Sequence, residues 1–257
     1  MSRLRALLDA SPVSQVALAL MREATGRTEP LAAIAPARPG SLRSGRRVGF
    51  WGLAAGAGAS TVAALVAHRS AAGGAPPFLV DLDRWAPSLA LRAGITAATV
   101  GDALLQPGRE HELVSRWSAV PFLPGAPTLH RSFVGDRIVE IVDACAADRP
   151  AVLDLGAGAD ALDLAVLSSL DRLCLVTGTR SAQLQAAFCA VPLLSRAPCA
   201  VGLVVVGAST DDAARVATRV GFPLLGAVPR DPFLADDTFA ARGPTLRAID
   251  SLLRALA

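Results

Sequence analysis

The stretch GFWGLAAGAGASTVAAL, Gly49 to Leu65, decides the fold. An apolar run ends at Gly52, a glycine-rich turn follows through Gly56 and Gly58, and a helix-forming segment begins near Ser60. Glycines between a strand and a helix let backbone amides converge on an anion, and the positive end of the helix adds to the attraction. The ordinary alternative is that the glycines only permit a tight turn.

The rest of the chain repeats the strand-then-helix rhythm. Apolar runs at 47–53, 77–83, 119–125, 150–156, 172–178, 200–207 and 224–229 read as strands. Segments such as 60–72, 131–147, 181–195 and 211–220 read as helices. Runs apolar on both faces and separated by helices predict an α/β fold, a doubly wound and mostly parallel sheet flanked by helices. Ligands of such sheets bind at the carboxyl ends of the strands. That places the Gly52–Ser60 loop, Asp81 and Asp83 after the second strand, and Asp154 after the fourth at the same edge. Residues 1–45 read as a helix over 2–26 followed by a linker rich in proline and arginine, and residues 46–257 as the main domain.

Composition narrows the chemistry. All 25 basic residues are arginine, and lysine and tyrosine are absent. The net charge of +3 is scattered, which gives no indication of nucleic-acid binding. No run approaches the ~20 apolar residues of a membrane-spanning helix, and the first residues lack the pattern of a signal peptide. A cytoplasmic protein is expected. Cys145, Cys174, Cys189 and Cys199 form no metal-binding or redox pair and read as reduced core residues. His68, His111 and His130 stand apart, and read as solvated or capping residues. Trp51, Trp85 and Trp117 read as core or site wall.

The spacing Gly52, Gly56, Gly58 also resembles the cofactor loop of short-chain dehydrogenases. Those enzymes depend as a family on a tyrosine with a nearby lysine, so only a catalytically inert dinucleotide binder survives from that resemblance. A broader likeness covers residues 46–257. AAGAGAST, Ala54 to Thr61, resembles the deviant Walker A loop of the MinD/ParA family of P-loop ATPases, K-G-G-x-G-K-[ST]-T. FLVDLDRWAPSLAL, Phe78 to Leu91, is similar to its D-x-D strand and following helix, and AVLDLGAGAD, Ala151 to Asp160, to its Walker B segment. FPLLGAVPRDP, Phe222 to Pro232, resembles the proline loop that flanks the adenine. The lysine-poor loop, with RGP at Arg242–Pro244, is most similar to the pilus-assembly branch, the CpaE and TadZ proteins, and to actinobacterial septum-site-determining proteins.

The resemblance implies ATP and Mg2+ as cofactors. It implies a nucleotide cradle of Gly56, Ala57, Gly58, Ala59, Ser60, Thr61 and Pro229, a magnesium set of Ser60, Asp81 and Asp154, and a water-orienting role for Asp83. Ala54 and Ala59 stand where the family carries lysines, so ATPase activity should be weak or absent. Arg84, beside the acidic pair, is the candidate to replace the missing charge. Where relatives read adenine with an asparagine, VVVGAST places Val206 and Gly207. The branch implies a homodimer with pilus or secretion ATPases or division proteins as partners, and a cytoplasmic location that can extend to the inner face of the membrane. The last helix holds the position of a membrane-targeting tail, but its few charges predict packing against the sheet instead.

Overall fold

The computed structural model describes residues 39–127, 129–234 and 241–257. The helix expected over 2–26 and most of the linker lie outside the described residues. The compact unit begins at Pro39, so the end of the arginine-proline stretch packs with the domain. Leu42 is buried there, and its amide donates to Ser70 Oγ at 3.0 Å.

Eight strands form one sheet: β1 (Arg47–Gly52), β2 (Phe78–Asp81), β3 (Ser115–Trp117), β4 (Val120–Leu123), β5 (Ala151–Ala157), β6 (Arg172–Gly178), β7 (Ala200–Val206) and β8 (Leu224–Val228). Their spatial order is β3-β4-β2-β5-β1-β6-β7-β8. All neighbours are parallel except β3 and β4, which form an antiparallel hairpin at one edge. The run at 119–125 is therefore the second arm of a hairpin. Its three-residue first arm carries Arg116 flanked by Ser115 and Trp117, too short to show a period in sequence.

The helices are α1 (Ala59–Ala72), α2 (Leu89–Ala93), α3 (Val100–Leu105), α4 (Leu129–Ser132), α5 (Gly135–Ala146), α6 (Leu164–Ser169), α7 (Ser181–Leu194), α8 (Thr210–Val220) and α9 (Gly243–Leu256). Strand alternation builds a core on each face of the sheet. Val48 and Phe50 of β1 join α1 and α9 on one face, while Trp51 joins α5, α7 and α8 on the other. Helix α1 is buried along most of its length, which explains its run of alanine and valine. Ile249, Leu252, Leu253 and Leu256 bury α9 against the sheet and α1, so the last helix packs in the core. The bidentate pair Arg69–Asp250 ties these helices together, Nε to Oδ1 at 2.7 Å and Nη2 to Oδ2 at 2.8 Å.

Some single-residue expectations change. Cys145 and Cys174 are core residues, but Cys189 is exposed on α7, turned outward by the helical period. Trp85 is 62% exposed and stacks on His130 at 4.5 Å, and His68 packs edge-on against Trp117 at 4.6 Å. These two histidines thus serve as aromatic partners instead of helix caps.

Candidate functional site

The loop after β1 is shaped by two left-handed glycines. Gly56 has φ +71° and Gly58 has φ +100°, conformations that cost an L side chain free energy. Gly58 caps α1 without a side-chain bond, and the first helical bond runs from Val62 N to Gly58 O. The amides of Ala59, Ser60 and Thr61 consequently have no acceptor within the helix. A Cβ on Gly58 would meet the Val206 side chain at 3.5 Å, so the loop sits directly against the end of β7.

Three side chains outside the loop hold its surroundings. Gln183, in the first turn of α7, donates from Nε2 to the Gly56 carbonyl at 2.9 Å. Trp51 Nε1 donates to the Gly158 carbonyl at 2.8 Å, fixing the segment after β5 beside β1. Gly158 N returns a bond to the Gly52 carbonyl at 3.1 Å. Sequence reasoning missed Gln183. Its signal was its place three residues into a helix after a strand, where a polar side chain reaches back over the helix start.

The carboxylates come from adjacent strands. Asp81 and Asp154 are register partners on β2 and β5, and both are fully buried. Burial pushes Asp154 up to about 6, against the pull of the Ser60 hydroxyl and the Gly156 amide. Asp81 is raised well above the usual carboxylate range by burial and then by the Asp154 charge. Asp154 Oδ1 accepts from Gly156 N at 3.1 Å, while its Oδ2 is buried with no hydrogen-bond partner. A buried carboxylate with one oxygen outside any direct hydrogen bond, on a side chain whose charge the Ser60 hydroxyl favours, fits a hydrated magnesium ion.

Asp81 is used differently: Oδ1 accepts from Asp83 N and Oδ2 from Leu89 N, each at 3.1 Å. It holds the turn after β2 and the start of α2. Asp83 Oδ1 accepts from the amides of Trp85 and Ala86 at 2.9 Å each, an Asx turn, and its side chain borders the loop. Gly156, at φ +68°, leaves room for it, since a Cβ there would stand 2.3 Å from Asp83 Cγ.

The loop residues Ala54–Thr61 line a cavity of about 220 Å³ with Asp83, Ser88, Arg92, Gly156 and Ala157. Ser60, Thr61 and Asp83 thus border one cavity, and the buried Asp81 and Asp154 stand on the neighbouring strands without lining it. Pro229 does not line it either: it follows β8 and lines a separate cavity with Ala208, Ser209 and Pro244. Arg84 is also elsewhere. Its guanidinium lies over the Phe133 ring at 3.5 Å, near Asp163 and Asp160, so it supplies no charge to the loop. The cation in the cavity is Arg92, eight residues further on, whose Nη1 donates to Thr61 Oγ1 at 3.0 Å. Among the described residues no group of three His, Cys, Asp or Glu could hold a metal unaided. A magnesium ion here would need phosphate and water oxygens to complete its shell.

The strand order separates the two sequence resemblances. In a dinucleotide-binding sheet the first strand lies beside the second; here β1 lies between β5 and β6, and β5 separates it from β2. No described helix is long and apolar enough to cross a membrane.

No protein-family model and no curated protein matches the chain in sequence. Solved structures do match. The cell division ATPase MinD of Pyrococcus furiosus aligns with a TM-score of 0.68 at 21% identity, over 82% of this chain and 98% of that one. A ParA family ATPase from Chlorobium tepidum TLS gives 0.67 at 19%, over 81% and 98%. The septum site-determining protein MinD of Pyrococcus horikoshii OT3, complexed with Mg-ADP, gives 0.67 at 21%, over 81% and 94%. At these identities the likeness speaks for architecture, and the chain has the fold of the MinD/ParA-type P-loop ATPases.

Proposed function

We propose that the protein is a nucleotide-binding switch of MinD/ParA type with a degenerate P-loop. It acts as a localisation or scaffold factor for Tad-type pilus or secretion machinery, or for septum siting. The observation that carries the reading is Asp154, a fully buried carboxylate whose Oδ2 makes no direct hydrogen bond and whose charge the Ser60 hydroxyl of the glycine loop favours. Bound Mg-ATP supplies a charged, state-dependent ligand whose presence can be read by a partner. The loop amides and the α1 dipole would hold its phosphates, Ser60 and Asp154 its magnesium, and Asp81 the turn that presents Asp83. The segment after Val206, which packs against Gly58, would flank the base.

A homodimer, and partners among pilus or secretion ATPases or division proteins, follow from the same reading, as does a cytoplasmic site of action reaching the inner face of the membrane. Titration with ATP, with and without magnesium, tests the binding. Gly58→Arg should abolish it, because the substitution places a side chain at φ +100° against Val206. Absence of magnesium-dependent binding in the unaltered protein would leave a pure scaffold.

One observation favours a second reading, a slow true ATPase: the arginine inside the cavity. Steady-state phosphate release that disappears in Asp83→Ala would support it, and activity surviving that change would come from elsewhere.

A further inference from the structure

The loop lacks the cations of its relatives, yet the cavity contains one. We propose that Arg92 is the phosphate-binding residue of this site, supplying from α2 the positive charge that lysine supplies elsewhere; this rests on the nucleotide reading given above. Its ligand is the polyphosphate of a nucleotide, held through phosphate oxygens.

The placement is built by the fold. Asp81 accepts the Leu89 amide at 3.1 Å, which pins the first residue of α2 to the end of β2. Arg92 follows Leu89 by three residues, nearly one helical turn, so the buried end of α2 sets the direction of its side chain. Gly94, at φ +63°, closes the helix immediately afterwards. The guanidinium then spans from α2 to the start of α1, donating to Thr61 Oγ1 at 3.0 Å. Among the described residues lining the cavity, Arg92 is the one with a positive charge.

A guanidinium binds a phosphate oxygen strongly, because both members carry charge and the planar fork matches the anion. The amides of Ala59, Ser60 and Thr61 face the same space. A polyphosphate held by these amides would therefore also lie against Arg92. Leu91, the preceding residue, is 79% exposed, so α2 presents Arg92 inward with an apolar side chain outward.

The test is equilibrium binding of Mg-ATPγS, magnesium pyrophosphate and adenosine to the full chain and to Arg92→Ala, Arg92→Gln and Arg92→Lys, with melting temperatures measured alongside. Arg92→Ala and Arg92→Gln should weaken both polyphosphates at least about tenfold, equivalent to ~1.4 kcal/mol, and leave adenosine unchanged. Arg92→Lys should recover part of the loss. Gln keeps a donor for Thr61 without charge, so it separates a brace from a phosphate ligand even if Ala lowers the melting temperature. Polyphosphate affinity within about threefold of the unaltered protein in Arg92→Gln overturns the inference and leaves the nucleotide site standing. Unaltered protein that binds none of the three ligands overturns the site itself.

Discussion

Asp81 and Asp154 stand side by side on adjacent parallel strands, in register and both without solvent exposure. Two carboxylates so placed cannot both ionise cheaply. The pair creates a tension in the ligand-free protein that a divalent cation would relieve.

The first prediction follows from that tension. Burial pushes the Asp154 carboxyl up to about 6 in the folded chain, from about 3.9 in an unfolded one. Between these values the unfolded chain releases its proton first, so rising pH removes stability across pH 4 to 6, and the deficit persists above. Asp154→Asn should abolish this contribution. Without ligand at pH 7.5 its melting temperature should exceed that of the unaltered protein by several degrees, from about 3 kcal/mol. The difference should vanish near pH 4. Equal melting curves at both pH values would contradict the burial argument.

Gly156 carries the second prediction. Its left-handed φ and the Asp83 carboxyl group packed over it leave no room for a methyl group. Gly156→Ala should displace Asp83, open its bonds to Trp85 and Ala86, and cost about 1–3 kcal/mol. Calorimetry combined with Mg-ATPγS titration checks it. Loss of stability without loss of affinity would show that Asp83 does not shape the site.

The glycine loop, the acidic strand ends and the layered sheet were legible in the sequence because each follows from local chemistry: left-handed turns select glycine, and doubly covered strands select continuous apolar runs. The identity of the cation was not. Arg84 adjoins the acidic pair in sequence, but the turn capped by Asp83 sends it toward Phe133, and α2 returns Arg92 to the loop. Gln183 likewise meets Gly56 across a separation of 127 residues, a contact that exists only once β6 lies beside β1. The hairpin arm Ser115–Trp117 was too short to announce itself.

A third prediction concerns the helix pair opposite the site. The Arg69 hydrogen bond holds the Asp250 carboxyl below its ordinary range, and Gly40 N also donates to it at 3.3 Å. A depressed acid contributes stability above its unfolded pKa of about 3.9, and that contribution fades as pH falls through the folded value. Asp250→Ala leaves Arg69, which is only 23% exposed, without its carboxylate. At pH 7 the loss should be about 3 kcal/mol, and it should shrink toward pH 3. Thermal melts at both pH values measure it, with nucleotide affinity unchanged at temperatures where the variant is folded.

The last prediction concerns the brace on the loop. Gln183 donates to the Gly56 carbonyl, and its side chain folds back over Gly178, where a Cβ would stand 2.0 Å from Oε1. It touches the loop from outside the cavity, so it positions the cradle and meets no phosphate. Gln183→Ala removes one neutral hydrogen bond at an exposed site, a cost of at most about 1 kcal/mol. Polyphosphate affinity should fall a few fold because the loop must be ordered at the moment of binding. Gln183→Glu should fall further: the carboxylate faces a carbonyl oxygen instead of donating to it, and it adds negative charge near an anion site. The salt dependence separates the two, since the extra loss in Gln183→Glu should diminish at high ionic strength while that in Gln183→Ala should not. Identical affinities in both variants and the unaltered protein would mean that the loop holds its shape without α7.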